Sequence, residues 1–323
     1  VPKEKHAEIK AYMESVDLDI QPAYSDLVFD IDVIVYAGSD CVRLRIINHH
    51  TNIVLIEKNG EKLVDLPITE SSEDHLTDKS CLTIEKIVEF ANALDVEDIR
   101  QHVSEQIRCN LEIAEEGLAG NWGANIGSVI LKFHPNSVEK KACAYAAAGS
   151  DARMSGCEMP VMIVSGSGNQ GITASVPVAV YAREMGATEE QLLKAVTLSN
   201  LVTIHQKAGI GRLSAYCGAI SAGVGAGAGI AYLLDGSYRA IAHTIVNAVA
   251  ILSGTICDGA KPSCAAKIAA SVDAGILGYQ MYCNDQQFRG GDGIVTKGVD
   301  DTIANIGVLA KQGMQETDRV ILE

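Results

Sequence analysis

The first part of the chain alternates between apolar and polar residues with the two-residue period of β-strands. The segments Phe29–Tyr36 (FDIDVIVY) and Val42–Ile47 (VRLRII) alternate, and Asn52–Glu57 is rich in β-branched and apolar residues. The dipeptide Asn59-Gly60 is typical of a tight hairpin turn. We predict a small antiparallel sheet here, preceded by a helix from about Lys5 to Ser15.

From about residue 82 the apolar residues recur with the period of an α-helix. Thr188 and Gln191 form a capping-box pattern that predicts a helix start. We expect helices at about 84–94, 96–118, 137–148, 172–184, 188–207, 213–234, 237–254, 262–279 and 299–312. The predicted fold class is therefore α+β, with a small antiparallel β-sheet layer followed by a larger, mostly α-helical bundle domain. We place a small α/β segment at 1–78 and a helical domain at 79–323.

The helical core must be built from small side chains. Aromatic residues make up only 5% of the chain, and 30 residues are glycine. The segment 218–233 (GAISAGVGAGAGIAYL) is almost wholly apolar, but it is shorter than the roughly 20 residues that a membrane-spanning helix needs. We predict a buried helix at the centre of the bundle, where glycine allows close helix contacts.

Charge and cysteine usage narrow the functional classes. The formal net charge is −15, from 26 basic and 41 acidic residues, which disfavours nucleic acid and anionic membranes as partners. Nine scattered cysteines, with no signal peptide before them, indicate a reducing cytoplasm rather than a disulfide framework. Because the chain begins at Val1, we expect that a segment preceding it is absent from this sequence.

Three cysteines lie at the edges of predicted helices or turns. Cys217 lies in RLSAYCGA, while Cys257 and Cys264 bracket CDGAKPSC, where Gly259 and Pro262 predict a non-helical turn. Three thiolates can hold a four-iron cluster and leave one iron without a protein ligand, and such an iron is a Lewis acid. The alternatives are three buried thiols, or a site for zinc or a labile cluster in a non-enzymatic redox sensor.

The segment SGSGNQG precedes a predicted helix and is a candidate binding site for a small carboxylate. Free N–H groups at a helix N-terminus, with polar side chains beside them, suit such an anion. No strand follows before the helix at Thr188, so a dinucleotide site is disfavoured, although a plain glycine-rich connection remains an alternative. The candidate substrate-binding residues are Ser165, Gly166, Ser167, Gly168, Asn169 and Gln170.

Three further side chains are candidates for chemistry. Arg153, in SDARMSG, can bind a carboxylate with its guanidinium fork, or it can form a structural pair with Asp151. His205 and Lys207 are candidate catalytic proton carriers, although a histidine at a helix end is often structural. The run Arg289–Gly293 is typical of a mobile or ligand-facing loop.

Five motifs together resemble the L-cysteine desulfidase family, which is related to the α chain of iron–sulfur L-serine dehydratases. They are SDARMSG, SGSGNQGI, GRLSAYCGA, CDGAKPSC and MQETDRVILE. The resemblance implies a [4Fe-4S] cluster on Cys217, Cys257 and Cys264 and no pyridoxal phosphate. It also implies a lyase that removes hydrogen sulfide from L-cysteine and leaves pyruvate and ammonia, with L-serine dehydratase or a metal or redox sensor as the alternatives.

The chain departs from the family pattern at its start. Members of the family begin with a further segment of roughly a hundred residues, which contains an LGCTEP stretch whose cysteine is thought to serve as the base. That stretch does not occur in this sequence. We therefore expect an incomplete fragment that depends on a missing N-terminal segment or a partner chain, and a homodimer is a further expectation.

Overall fold

A computed structural model of the chain describes residues 3–23, 25, 27, 29–48, 52–68, 78–211 and 214–322. The chain divides into two compact units, residues 1–77 and 78–323. The first contains a small antiparallel sheet and the second consists of helices. The α+β class predicted from the sequence is confirmed.

Within its described residues, the first unit contains one α-helix, α1 (His6–Ser15), and a four-stranded meander in which each strand pairs with the next. The strands are β1 (Asp30–Ala37), β2 (Asp40–Ile47), β3 (Ile53–Lys58) and β4 (Glu61–Asp65). Asn59 and Gly60 both have positive φ, 53° and 87°, as a two-residue hairpin turn between β3 and β4 requires. The turn predicted at this dipeptide is confirmed.

The second unit is a bundle of eleven helices within the described residues. They are α2 (Ile84–Ala93), α3 (Arg100–Ala119), α4 (Ile126–Phe133), α5 (Val138–Met154), α6 (Gly168–Met185), α7 (Glu189–Ile210), α8 (Gly218–Leu234), α9 (Tyr238–Ile251), α10 (Cys264–Cys283), α11 (Val299–Val308) and α12 (Gln315–Leu322). A single π-helical turn, Leu309–Gly313, separates the last two.

Several helix boundaries differ from the sequence prediction, and two of these differences shape the site. Helix α5 continues to Met154 instead of ending near Ala148, and α6 begins at Gly168 instead of near Ile172. Half of SGSGNQG is therefore the first turn of a helix and not a loop. Helix α8 begins five residues later than predicted, at Gly218.

Helix α8 lies at the centre of the bundle, as predicted, and packs against α6, α7, α9 and α10. Its glycines make this possible: a Cβ on Gly223 would stand 2.5 Å from the Ser271 backbone, and one on Gly227 would stand 2.7 Å from Gly275. Over the residues that the structure describes, every helix is too short or too polar to cross a lipid bilayer.

Candidate functional site

Backbone pairing brings two of the three candidate cysteines together. Tyr216 and Ile256 form an isolated antiparallel β-bridge. The Cys217 N–H donates to the Thr255 carbonyl at 2.9 Å, and the Cys257 N–H donates to the Ala215 carbonyl at 2.6 Å. The segment before α8 and the segment after α9 therefore hold Cys217 and Cys257 side by side, whatever their sulfur atoms bind.

A hydrogen bond between the two thiols shifts their pKa values in opposite directions. This bond, followed by burial, raises the pKa of Cys217 far above its usual value. The same bond lowers the pKa of Cys257, and the Gly259 N–H and the Lys267 ammonium act in the same direction against burial. We assign the thiolate to Cys257, because Cys217 is more buried and the hydrogen bond between them lowers the pKa of Cys257.

Cys264 is the first residue of α10 and completes the trio from the other side of the turn. Its Sγ lies 3.7 Å from the Gly259 carbonyl oxygen, and its charge acts on Cys217. Gly259 has a φ of +100°, which favours glycine and lets the chain turn back between Cys257 and Cys264. The sequence correctly predicted a non-helical turn here.

Lysine side chains fix the turn between Cys257 and Cys264. Lys267 Nζ donates to the Ile256 carbonyl and to Asp258 Oδ1, both at 2.7 Å, and Lys261 also pairs with Asp258. Sequence reasoning missed Lys267. Its position three residues after Cys264 could have revealed it, because residues three apart share one face of a helix.

Lys207 and His205 lie on α7 but have different surroundings. Lys207 is 8% exposed, and burial lowers its pKa while the charges of Cys257 and Cys217 raise it. His205 Nε2 instead lies 2.8 Å from Asp300 Oδ1, in the first turn of α11. The structure thus brings Lys207 to the cysteines and ties His205 to another helix.

The first turn of α6 carries the second half of SGSGNQG. Ser165 and Gly166 form a turn with positive φ, 49° and 83°, and Ser167 is the N-cap residue. Gly168, Asn169 and Gln170 open the helix, so their N–H groups have no carbonyl of an earlier turn to bind. These N–H groups and the positive end of the helix dipole favour an anion.

Arg153 lies over this helix start because α5 extends to Met154. A Cβ on Gly168 would collide with Arg153 Nε, and Arg153 Nη1 donates to Asn169 Oδ1 at 3.2 Å. Burial lowers the pKa of Arg153, and the charge of Cys264 opposes this effect. The guanidinium therefore lies within the range of electrostatic interaction with Cys264.

The alternative pairing of Arg153 with Asp151 is wrong. Asp151 is fully buried and faces the N-terminus of α4, where its carboxylate accepts from the N–H groups of Ile126 at 2.7 Å and Ala124 at 3.4 Å. A carboxylate at a helix N-terminus satisfies free N–H groups and the helix dipole. Asp151 therefore stabilises the start of α4 and leaves Arg153 available.

Gln170 links the α6 helix start to the cysteines. Its amide rests on Gly218, the residue after Cys217, where any Cβ would collide with it. The side chain is 6% exposed, and its Oε1 has no hydrogen-bond partner within the described part of the chain. A buried amide oxygen without a partner is costly, and such groups often occur where a ligand binds.

Asn110 is a supporting residue that sequence reasoning missed. It is fully buried in α3, accepts from the Met162 N–H at 2.9 Å and donates to Ser175 Oγ at 3.0 Å. These bonds fix the strand-like segment before SGSGNQG against α6. No local sequence signal marks this role, because the partners lie 52 and 65 residues away.

The three cysteines match a [4Fe-4S] cluster in donor chemistry. Among the described residues, no set of three or more His, Cys, Asp or Glu side chains is arranged to hold a single metal ion. A cubane differs from a single ion because each thiolate binds a different iron, which separates the sulfurs by roughly 6–7 Å. The residues therefore fit a cluster by their type and by their surroundings. Two of the thiols come from the paired segments and the third from the start of α10, and the cations Lys207, Lys267 and Arg153 lie near them.

Comparison with known proteins places the chain in a family. The family model described as serine dehydratase alpha chain matches residues 9–323. A UPF0597 protein of Desulfitobacterium hafniense is 56% identical over 315 residues, which are 98% of this chain and 73% of that protein. A UPF0597 protein of Treponema denticola is 46% identical over 284 residues, 86% of this chain and 66% of that protein.

A third relative, a UPF0597 protein of Lachnoclostridium phytofermentans, is 47% identical over 286 residues, 88% of this chain and 68% of that protein. No solved structure shows a significant match to the chain. The family match covers nearly the whole chain and includes every candidate site residue discussed above. The chain therefore belongs to the serine dehydratase alpha chain family.

Proposed function

We propose that the chain forms the cluster-binding part of an iron–sulfur-dependent lyase that removes hydrogen sulfide from L-cysteine. Membership of the serine dehydratase alpha chain family points to a lyase. The observation that carries the proposal is the pairing of Cys217 with Cys257 by backbone hydrogen bonds, with Cys264 beside them. The overall reaction consumes one water and gives pyruvate, ammonia and hydrogen sulfide.

Cys217, Cys257 and Cys264 would hold a [4Fe-4S] cluster. When bound, such a cluster supplies an iron without a protein ligand, a Lewis acid that makes the substrate sulfur a better leaving group. The chain surrounds the thiolates with positive charge from Lys207 and Lys267, which offsets the negative charge of three deprotonated sulfurs.

The first turn of α6 and Arg153 would bind the substrate carboxylate. Free N–H groups of Gly168 and Asn169 and the guanidinium of Arg153 occupy one region, and Gln170 joins that region to Gly218. Fixing the carboxylate in this way would orient the Cα–H and Cβ–S bonds relative to the thiolates. The unpartnered Gln170 Oε1 can accept a hydrogen bond from the substrate ammonium group.

Lys207 is our candidate for a group that carries a proton at Nζ within the site. It is buried, and both thiols of the paired segments act on its charge. Elimination needs the Cα proton to leave and the sulfide to gain one, so a movable proton beside the reacting centre is useful. His205 is bound to Asp300, and we give it no step.

The test is anaerobic reconstitution with iron and sulfide, followed by assays with L-cysteine and L-serine. We expect visible absorbance of a cluster and equal release of sulfide and pyruvate from L-cysteine. L-serine dehydratase is the second candidate, because the matching family model carries that description, and pyruvate from L-serine alone would select it. Zinc without iron, and no turnover of either amino acid, would overturn the lyase.

Two variants separate cluster binding from substrate binding. Cys257→Ser should lose the visible absorbance while its helical circular dichroism stays unchanged.

Arg153→Lys should keep the absorbance but raise KM by about tenfold or more, because a lysine cannot form the bidentate pair. Arg183→Lys, an exposed arginine on α6, is the matched control and should leave KM unchanged. An unaltered KM in Arg153→Lys would remove Arg153 from the site.

A further inference from the structure

A pocket lies between the first half of α9 and the segment that leads into α11. Its volume is about 270 Å³, and it shares none of its lining residues with the cysteine site. The side chains that matter for its chemistry are Tyr238, His243, Phe288, Arg289, Thr296 and Lys297. The neighbouring run Arg289–Gly293 matches the loop that the sequence marks as ligand-facing or mobile.

The pocket is lined by positive charge in a strongly acidic chain. Among the described residues, neither Arg289 nor Lys297 has an acidic partner within salt-bridge distance, although the chain carries 41 acidic residues. Arg239 adds a third cation, since its charge, together with burial, lowers the pKa of the pocket residue His243. Two unpaired cations that face one cavity are the electrostatic pattern of an anion site.

Among the described residues, the acidic groups near the pocket form no salt bridge with Arg289 or Lys297, although the charges of Asp300 and Glu85 act on the pocket residue Tyr238. The Asp292 carboxylate accepts a hydrogen bond from the Arg289 backbone N–H at 2.6 Å, within the Arg289–Gly293 loop. Asp301 lies beside Gly298 at the start of α11, with its Oδ2 3.2 Å from the position of a Gly298 Cβ. Neither carboxylate neutralises the Arg289 or Lys297 side chain by a salt bridge in the described structure.

Buried hydrogen bonds hold the pocket wall in place. Asn247 is fully buried, accepts from the Phe288 N–H at 3.1 Å and donates to the Gly278 carbonyl at 3.0 Å. The Gly291 N–H donates to the Val295 carbonyl at 3.0 Å. A loop fixed in this way loses less conformational entropy when a ligand binds.

Apolar and aromatic groups form the rest of the wall. His243 stacks on Tyr282 with ring centroids 5.7 Å apart, and Tyr238 and Phe288 line the same cavity. The volume lies just below the usual range of about 300–1,000 Å³ for ligand sites. The pocket thus suits a compact molecule with one anionic end and a short carbon body.

We propose that this pocket binds a small organic anion, a carboxylate or a phosphate ester, through Arg289 and Lys297. The first turn of α11 lies at the same pocket, because Gly298 and Val299 line it. Its N–H groups attract an anion, and Asp300 and Asp301 in the same turn oppose that attraction, so the two cations carry the proposal. The proposal does not depend on the lyase reaction. Its ligand contacts a pair of cations on a rigid loop, whereas the lyase substrate would contact Arg153 and α6.

The test is isothermal titration calorimetry with inorganic phosphate and with malonate, at constant ionic strength. We expect saturable binding of at least one probe, with tighter phosphate binding assigning the site to phosphate esters and tighter malonate binding assigning it to carboxylates. Arg289→Gln and Lys297→Gln should each weaken binding about tenfold or more. Because each variant removes one of the two cations, the titration still tests the site when one variant fails to fold.

Matched controls separate this site from general charge effects and from the proposed substrate site. Lys132→Gln removes the same charge from an exposed position on α4 and should leave the titration unchanged. Arg153→Lys alters the other anion site, so it should change only binding there and leave unchanged the binding that Arg289→Gln and Lys297→Gln weaken. No binding of either probe would overturn the proposal, and so would binding that is equal in wild type, Arg289→Gln and Lys297→Gln.

Discussion

A hydrogen bond joins the Cys217 and Cys257 side chains, and their surroundings decide which of the two thiols is deprotonated first. The Cys257 sulfur receives the Cys217 S–H, the Gly259 N–H and the field of Lys267, all of which lower its pKa. Cys217 is the more buried of the pair. In the cluster-free protein, we therefore expect Cys257 to react with electrophiles faster than Cys217.

This assignment predicts how alkylation of the cluster-free protein depends on pH. A free cysteine has a pKa of about 8.5, so at pH 7 it is mostly a thiol, whereas a lowered pKa keeps Cys257 a thiolate. We expect iodoacetamide to modify Cys257 at pH 7 nearly as fast as at pH 8.5, with the rate falling only as the pH drops through the lowered pKa. Mass spectrometry of timed samples measures each cysteine.

The matched variant is Cys217→Ala, which removes the S–H donor and should raise the pKa of Cys257. Alkylation of Cys257 at pH 7 should then slow, while the rate at pH 9 stays similar. Equal pH profiles in wild type and Cys217→Ala would show that Cys217 does not lower this pKa.

At the residue scale, the sequence predicted the local course of the backbone better than the contacts between side chains. The non-helical turn between Cys257 and Cys264 followed from Gly259 and Pro262, since both interrupt helices. The place of Arg153 did not follow, because it depends on the last turn of α5, and helix ends are the least certain part of a sequence prediction.

At the scale of elements, the crossing of α8 and α10 is set by glycine on both helices. Gly223 and Gly227 face Ser271 and Gly275, and their backbones lie too close for any added side chain. The sequence predicted a close contact from the glycine spacing of α8. It could not name the partner helix, because a spacing pattern describes one surface only.

A single methyl group at this crossing should therefore destabilise the bundle. In Gly227→Ala, the new Cβ would stand 2.7 Å from the Gly275 backbone, and backbone can give way only if the helices separate. We expect the free energy of unfolding to fall by about 1–3 kcal/mol or more. Urea denaturation followed by circular dichroism measures this change.

Gly254→Ala provides the matched control, because nothing lies within 4 Å of its added Cβ and its φ is not positive. It should leave the denaturation midpoint almost unchanged. If Gly227→Ala and Gly254→Ala unfold at the same urea concentration, the close packing of α8 on α10 is not what stabilises the bundle.

Helix α4 shows where element prediction fails. Its eight residues, Ile126–Phe133, are too few to display a helical period, and its N-cap Asn125 is in the left-handed region without a side-chain cap. The helix start is stabilised instead by Asp151, 25 residues later in the sequence. In contrast, the capping box of Thr188 and Gln191 lies within one turn and predicted the start of α7 correctly.

At the scale of the whole molecule, the apolar core belongs to the helical unit. Among the described residues, the buried apolar side chains of the first unit are Ile47 and Val54 alone, and the remaining ones lie between Ile84 and Ala310. All three candidate cluster ligands and both candidate anion sites also lie in the second unit.

We predict that residues 78–323 fold cooperatively when they are produced alone. Their hydrophobic burial is almost that of the full chain, and burial of apolar surface is the main favourable term in folding. Thermal melting followed by circular dichroism should show one sharp transition. Residues 1–77 alone should melt without cooperativity, because a small sheet with two buried apolar side chains lacks a core. A broad transition in 78–323 would contradict this division of stability.

Loss of the proposed cluster to oxygen should be repairable without refolding, because the bridge between Tyr216 and Ile256 contains no sulfur. A protein that has lost its iron would still hold two of its three thiols on a hydrogen-bonded frame. A cell would then rebuild the cluster on existing protein molecules instead of synthesising new ones.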